Sequence, residues 1–581
     1  MKLSTFTTYV KEGFSLDKHS LALARIVIGL TILSDVFNRA KTLVLDYTSD
    51  GIFPKDIWIS QFSNPSNFTF HYWVDEIWWV QFLFILQGLI AVAFTLGYKT
   101  RWTTFALWLF YLSLNNRNWY INDSGDDSVR IFLMLFFFLP MGARYGIDAF
   151  LTRKRIAENS VYSWVNFIAF MQIGIIYFVS SLLKSHPSWN ASFSAIADAM
   201  ELDLFVSPLG LLLKDFPSVT KFLTFSVYGL ELLGPILFWL TPFLGYRGQW
   251  LRLLLVFVFI SFHLGLVLFM HLGPFPFFMM GIWCAFLPSV FWETILPRLK
   301  TPNRLAFQIF YDEECGFCKK TVCILKGFFL IPEAKMAPAQ SQPEINELML
   351  KHNSWVVITA DNQKKIKFEA IVTFFGQSPL IGDFSKLLNI PIFFKVGTKI
   401  YEWVASHRQL MGKLTKPFQW KEEEKETQWH HLDKVFVIFF ALAILQLNLK
   451  GKILRKTYRY LKLYKYSRTI GLYQNWGMFS PYVQVKNSWF VFRGIFSDRA
   501  EFDLLSMGPV NYDKPETLLS LNYANKHQRK FLNNLENDGL LQERVSSFYC
   551  EKYRDMKTFK MYLISDKPKK LIEHRYNKVC R

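Results

Sequence analysis

The chain has 581 residues, of which 51% are apolar, 18% aromatic and only 19% charged. Charged residues usually make up about a quarter of a soluble domain, so this composition excludes a mainly disordered chain, and the length excludes a disulfide-stapled miniprotein. The formal charge of +20 sits in short clusters beside apolar runs, the pattern of a chain oriented in a membrane rather than of a nucleic-acid binder.

Eight apolar runs fill the first 300 residues, at about 21–36, 77–96, 102–114, 129–141, 165–183, 222–240, 251–270 and 275–290. Several fall short of the ~20 residues that a span needs. The third and fourth are the shortest, and their polar ends would extend the helices into a cavity. The first run follows a polar start and lacks a small-residue cleavage site, so it reads as a span and not as a signal peptide. With the N-terminus in the cytoplasm, about fourteen Lys and Arg fall in inside segments and about six in outside ones. The expectation is a multi-pass protein of the inner, cytoplasmic membrane with a cytoplasmic N-terminus and lipids as its surroundings.

Residues 301–415 change character. Strand-like runs at 306–311 and 355–359 and helical patterns after Cys318 and around 381–388 predict a soluble α/β module. Residues 416–468 form a linker. It holds the acidic run 422–426, a linker or solvated helix face, then a ninth apolar run at 435–447 and the basic stretch 450–468. If the ninth run spans, that basic stretch lands outside, against the charge rule, so the side of the C-terminal region stays open. Residues 469–581 predict a soluble α+β region with a hairpin across 489–504 and charged helices after it. The fold class is thus a polytopic helical bundle of eight or nine spans, a small α/β domain and a C-terminal α+β region.

The strongest short motif is Asp312-Glu313-Glu314-Cys315-Gly316-Phe317-Cys318-Lys319-Lys320. A Cys-x-x-Cys at a strand-to-helix turn puts the first sulfur at a helix N-terminus, where the dipole favours the thiolate. Lys319 and Lys320 add positive charge, whereas Glu313 and Glu314 should raise the thiol pKa. Cys315 would attack a disulfide and Cys318 would resolve the mixed disulfide. Half of a zinc site and an inert pair are the alternatives. Zinc needs two more ligands, and no second Cys-x-x-Cys or His-x-x-x-His occurs, so no metal is expected. Six Cys, three of them within 315–323, do not make an extracellular disulfide framework.

This stretch resembles the DCC family of thiol–disulfide oxidoreductases, whose pattern Asp-x-x-Cys-x-x-Cys is met by Asp312, Cys315 and Cys318. Further similar landmarks are Pro338-Ala339-Gln340-Ser341, Phe368-Glu369-Ala370, Ile400-Tyr401-Glu402-Trp403 and His407-Arg408. The resemblance covers about 306–412. It implies a thioredoxin-like fold, a catalytic role for the three motif residues, no required cofactor and a thiol or disulfide protein as partner.

Ionisable residues inside spans are functional candidates. Arg25 and Asp35 lie in the first run, Glu231 in the sixth and His263 in the seventh. Structural pairing of Arg25 with Glu231, and a helix–helix hydrogen bond from His263, are the plain alternatives. Tyr177, Ser181 and Lys184 are spaced i, i+4, i+7 and share a helix face. That face would hold Lys184 in a half-dry pocket as a usable base, or else Lys184 snorkels to the interface.

The first 300 residues resemble the membrane domain of the vitamin K-dependent gamma-carboxylases and their bacterial HTTM relatives. The matching elements are Ala24-Arg25-Ile26, Leu96-Gly97-Tyr98, Asn115-Asn116, the stretch from Tyr177 through Lys184 to Trp189, and Ser261-Phe262-His263. The resemblance implies Lys184 as a base toward a quinol of menaquinone or vitamin K type. Tyr177, Trp189, Glu231, His263, Arg25, Asp126 and Asp127 are then candidate cofactor contacts. The carboxylase has a histidine where Gly125-Asp126-Asp127 stand here, and its large lumenal module is missing, so glutamate carboxylation carries over poorly. Base catalysis also requires that no carboxylate, Asp126 and Asp127 above all, pairs with Lys184. Gln474-Asn475-Trp476-Gly477-Met478-Phe479-Ser480-Pro481 looks like a segment that follows the membrane part in bacterial relatives, and it reads as buried aromatic packing. Three functions follow from these readings: a membrane thiol–disulfide oxidoreductase, a quinol-dependent carboxylase or oxygenase-like enzyme, and a non-enzymatic membrane binding protein.

Overall fold

The computed structural model describes residues 11–62, 67–74, 76–154, 158–423, 471–515, 525–566 and 570–580. The apolar runs at 435–447 and the basic stretch 450–468 lie outside the described residues. All eight earlier runs are helical: α1 (Lys18–Ala40), α2 (Ile77–Thr95), α3 (Thr100–Arg117), α4 (Ser124–Phe136), α5 (Trp164–Leu183), α6 (Pro217–Leu240), α7 (Gly245–Phe269) and the pair α8 (Phe275–Cys284) and α9 (Ser289–Leu299). Among the described residues five helices are long and apolar enough to cross a membrane, or six if α8 and α9, bent by 86°, make one span. Asp17 caps α1 by accepting from the His19 N–H, and Asp123 with Asp126 forms a capping box at the start of α4. Helices α6 and α7 leave Phe222, Leu233, Leu254 and Leu264 exposed. In water such faces would be costly, whereas in a bilayer they meet lipid.

The buried ionisable groups of the bundle find other partners than the sequence suggests. Arg25 does not meet Glu231. Its guanidinium donates to the carbonyls of Met141 (2.8 Å), Arg144 (3.2 Å) and Tyr145, backbone groups left over where α4 has ended. Gly97 and Gly146 make room for it, since a Cβ at either would lie 2.8 Å from the Arg25 Nη1. Arg39 donates to Asp35 (2.8 Å), to the Tyr47 hydroxyl (2.8 Å) and to Asp126. Asp127 pairs with Arg130 at 2.7 Å. Neither of these carboxylates in the first turn of α4 therefore reaches Lys184.

Strand β1 (Thr152–Lys154) runs parallel to β6 (Lys421–Glu423), so the acidic run begins as a strand and not as a solvated helix face. Between them lies the α/β domain. Its sheet has the order β3-β2-β4-β5, from β2 (Gln308–Tyr311), β3 (Lys335–Pro338), β4 (Val356–Ile358) and β5 (Lys364–Ile366). Strands β2 and β3 are parallel, with Ile309 opposite Met336, while β4 is antiparallel to both β2 and β5. With α10 (Gly316–Phe328), α11 (Pro343–His352), α12 (Lys367–Gly376), α13 (Pro391–Ser406) and α14 (Arg408–Leu414) this makes a thioredoxin-like fold.

The C-terminal region contains β7 (Ser488–Phe496), β8 (Glu501–Asp503), α15 (Lys526–Leu535), α16 (Gly539–Lys552), β9 (Met556–Ser565) and β10 (Leu571–Val579), in one antiparallel sheet of order β8-β7-β9-β10. The hairpin and the helices fall where the sequence puts them. One cysteine pair departs from expectation: Cys550 and Cys580 form a disulfide that ties the end of α16 to the residue after β10.

The two non-membrane regions hold opposite ends of the bundle. Helix α1, with 23 residues, is about 34 Å long at 1.5 Å per residue. Its first turn packs His19 against Tyr145 and Trp292. At this end the thioredoxin-like domain attaches through Phe150 on Phe328 (5.2 Å between rings), Tyr98 on Phe418 (5.1 Å) and the Lys421–Asp148 pair (2.9 Å). At the far end of α1 the C-terminal region docks. Asn525 donates to the Asn38 carbonyl (3.2 Å), and His527 Nε2 lies 3.3 Å from Asp35. Gln528 donates to Asp46 (2.9 Å), and Tyr120 donates to Asp538 (2.8 Å).

Arg39, Asp35 and Asp126 are fully buried, so removing the guanidinium takes the hydrogen-bonded cation from two carboxylates in a dry interior and leaves only Lys526, 3.7 and 4.0 Å away, to balance them. Arg39→Met should lower stability by about 3–5 kcal/mol. Thermal unfolding of the detergent-solubilised protein checks this, and an unchanged midpoint would show that the carboxylates are stabilised by other groups.

Candidate functional site

The dithiol is built by the β2–α10 junction. Ile309, Phe310 and Tyr311 are buried in the sheet and commit the chain to end the strand at Asp312. Cys315 is the N-cap of α10, and its sulfur accepts the Cys318 N–H at 3.3 Å. Cys315 is half-buried and Cys318 fully buried. A hydrogen bond from the Cys318 thiol, helped by the N–H groups of Cys318 and Phe317 and by the Arg408 guanidinium, pulls the Cys315 thiol down to about 6 against its partial burial. Cys318 is pushed far up, first by giving that hydrogen bond and then by burial. The cation acting on the thiolate is Arg408. Lys319 instead lies over the Tyr311 ring, and Lys320 reaches the Thr415 carbonyl. Glu313 and Glu314 are exposed and do not prevent the lowered value, because water screens them.

Asp312 accepts from Gln340 Nε2 (2.9 Å) and from Arg408 (3.0 Å). Its carboxylate therefore positions the arginine beside the thiolate. The Tyr401 hydroxyl accepts the Trp355 N–H at 3.1 Å and so locks the strand next to Cys318. Gln340, Tyr401 and Arg408, far apart in the chain, converge on the dithiol. Glu369 does not, and pairs with Lys365 at the surface. Beside Cys318 runs an apolar groove of roughly 420 Å³, lined by Phe317, Trp355, Phe393, Ile400, Tyr401 and Arg408 among others.

A second site lies in the membrane half. Lys184 ends α5, is buried, forms an ion pair with Glu231 of α6 and lies 4.5 Å from the centre of the Trp189 ring. These three residues line a chamber of roughly 410 Å³ between α5, α6 and α7, with Ser180, Ser226 and Ser261 as its other polar side chains. The requirement that no carboxylate pairs with Lys184 is thus not met. The partner is Glu231, since a buried ammonium needs a counter-charge. Tyr177 and His263 are not in the chamber lining. They bond each other (2.6 Å), and Tyr177 also accepts from the Trp283 indole at 2.7 Å, which makes a closed helix–helix contact. Arg25, Asp126 and Asp127 serve the networks described above. The sequence reading passed over Met478 and Phe479 as ligand-facing residues, yet both line the chamber from the C-terminal region. The motif that contains them was visible, but its place in the fold was not. Among the described residues no cluster of three or more His, Cys, Asp or Glu is arranged to hold a metal ion.

Fold and site define a helical membrane bundle that carries a thioredoxin-like dithiol domain. Comparison with family models agrees: residues 15–292 match the HTTM domain, and residues 309–414 match the DCC1-like thiol-disulfide oxidoreductases. The chain is a fusion of these two domains, a membrane protein of thiol–disulfide redox type. Comparison with curated proteins and with solved structures returns no match.

Alkylation of Cys315 by iodoacetamide, followed on its own peptide by mass spectrometry, should rise through pH 6 and level off above it, because the thiolate is the reactive form. Arg408→Gln should move the midpoint upward. A midpoint near that of an ordinary thiol in the unaltered protein would contradict the activated sulfur.

Proposed function

We propose that the chain is an integral membrane thiol–disulfide reductase working from the cytoplasmic face. The observation that carries this reading is the asymmetric dithiol, with a half-exposed acidic Cys315 hydrogen-bonded by a buried Cys318. The Cys315 thiolate attacks one sulfur of a substrate disulfide, and the other substrate sulfur leaves as a thiolate. Cys318, losing its proton, then attacks Cys315 Sγ and expels the second substrate thiol. Two electrons pass to the substrate, and the Cys315–Cys318 disulfide is reduced again by a cytosolic dithiol. The basic clusters near Lys99, Arg101, Arg144 and Arg153 support a cytoplasmic position for this domain and for the N-terminus. Eight membrane helices are the reading that returns the chain to that face near residue 300. The C-terminal region, docked at the other end of α1 and stapled by Cys550–Cys580, is then external, where disulfides persist.

Cys315→Ser should abolish reduction of a model protein disulfide, and Cys318→Ser should accumulate a mixed disulfide visible on a non-reducing gel. Full turnover by either variant sinks the dithiol mechanism. In intact cells an impermeant maleimide should leave Cys315 unlabelled until the membrane is opened, and labelling from outside would reverse the orientation.

A second reading is favoured by the chamber, an almost wholly apolar space with a buried amine and carboxylate at one wall. That donor set fits a quinol: Lys184 Nζ and Glu231 offer a donor and an acceptor to a ring oxygen, and Trp189 offers a flat face. A bound quinol would supply two electrons and two protons. Within the pair, Glu231 is positioned to take a proton that Lys184 passes on, so the two act as a unit rather than Lys184 as a lone base. Lys184→Ala and Glu231→Gln should then each abolish quinol consumption by the protein in proteoliposomes supplied with dioxygen, which takes up the two electrons and two protons, while leaving disulfide reduction intact. Undiminished consumption in both variants removes the pair from the chemistry. Glutamate carboxylation has no support here beyond the family resemblance.

A further inference from the structure

The chamber is walled by two parts of the chain, 180–272 and 478–479, about 200 residues apart. Most of it comes from α5, α6 and α7, but one side is closed by Met478 and Phe479. The segment that brings them, 471–481, is bound along its length by buried groups of the bundle. Arg130 donates to the Gly471 and Tyr473 carbonyls, both at 2.6 Å. Asp127 accepts the Asn475 N–H at 3.2 Å, and Ser124 donates to the Asn475 carbonyl at 3.1 Å. Gln474 exchanges amide hydrogen bonds with Gln172 in the interior (2.8 and 3.4 Å) and accepts from the Trp476 indole at 2.8 Å. The last tie is to the site itself. The Trp189 indole, whose ring lies on Lys184, donates to the Phe479 carbonyl at 3.0 Å. Phe479 has φ of +58°, a left-handed conformation that a bulky residue adopts only when its surroundings force it.

The opposite side of the chamber is formed by α6 and α7, where Val258 and Ser261 of the lining are exposed. Leu223, Val227 and Leu230 of α6 and Val258, Phe262 and Gly265 of α7 line it, and a Cβ at Gly265 would meet nothing within 4 Å. On the same two helices Phe222, Leu233, Leu254 and Leu264 are exposed, as an apolar face toward a bilayer would be. The chamber is therefore open between two membrane helices and closed toward the C-terminal region.

We propose that the 471–481 segment is part of the ligand site, with Phe479 and Met478 setting the size of ring the chamber takes, and that the ligand is a ring-bearing lipid that enters from the bilayer between α6 and α7. The quinol reading enters only in the choice of headgroup. A ring held against Trp189 has its polar edge toward Lys184 and Glu231 and its tail between the helices. Phe479 limits how far the ring advances.

Two measurements in proteoliposomes test this. The first needs no ligand. A cysteine placed in the chamber by Ser180→Cys should react with N-ethylmaleimide several-fold faster when Phe479→Ala is added, as read on the 180-containing peptide by mass spectrometry. An unchanged rate overturns the wall. Phe479→Leu, which keeps most of the side chain, should leave the rate near that of Ser180→Cys alone and so separates loss of the wall from loss of the fold. The second uses menaquinone-4 and the smaller-ringed ubiquinone-4 as probes. Phe479→Trp should weaken menaquinone-4 binding by about tenfold or more relative to ubiquinone-4. Equal effects on both probes, with binding by the unaltered protein intact, overturn the size-setting role and leave the quinol reading standing. If the unaltered protein binds neither probe, the quinol reading fails, and the alkylation rates still decide whether Phe479 closes the chamber.

Discussion

The arrangement depends on the cost of a charge in a dry interior. Arg39, Asp35 and Asp126 are fully buried, and each is tolerable only beside the others. Their network takes in helix α15, because Lys526 lies 3.3 Å from Asp123 and 3.7 Å from Asp35. The same rule governs Arg130, whose partners are Asp127 and two carbonyls of the 471–481 segment. The membrane bundle thus leaves polar groups at one end that only the C-terminal region completes. That fixes where this region sits, and its position fixes the closed wall of the chamber.

At the other end the contacts are of a different kind. The thioredoxin-like domain rests on aromatic pairs, exposed ion pairs and one short parallel strand pair. Exposed pairs contribute little, so this domain is joined more loosely than the C-terminal one. The difference suits the two sites. The chamber, as the site proposed for a small ligand, needs fixed walls, whereas the dithiol, proposed to meet a protein, needs access. The dithiol belongs to the domain attached near the start of α1, the chamber is closed by the region docked at its far end, and the two linings share no residue.

Much of this was legible in the sequence. Each of the eight apolar runs is helical, the last broken between α8 and α9, since burial or lipid contact must follow from such stretches. The Cys-x-x-Cys at a strand end gave the dithiol and the order of its two thiols. Pairing was not legible. Arg25 and Glu231 are both buried membrane ions of opposite sign, and nothing in their spacing says that one takes backbone carbonyls and the other Lys184. Nor does the local text around Cys315 show that its cation is Arg408, 93 residues on, when two lysines stand next to it. Local charge density misled because an exposed lysine is screened by water while a half-buried guanidinium aimed at the sulfur is not. The disulfide was missed for a similar reason, since Cys550 and Cys580 are brought together by the pairing of β10 with β9.

That disulfide has a practical side. The dithiol must be kept reduced to act, and the usual means is added thiol during purification. The same reagent opens Cys550–Cys580, which ties α16 to the final strand of the sheet above the bundle. A preparation can therefore hold a reduced Cys315 and an opened tie in the C-terminal sheet at once. Activity measured at one end would then say nothing about the integrity of the other, and the choice of reductant becomes an experimental variable rather than a precaution.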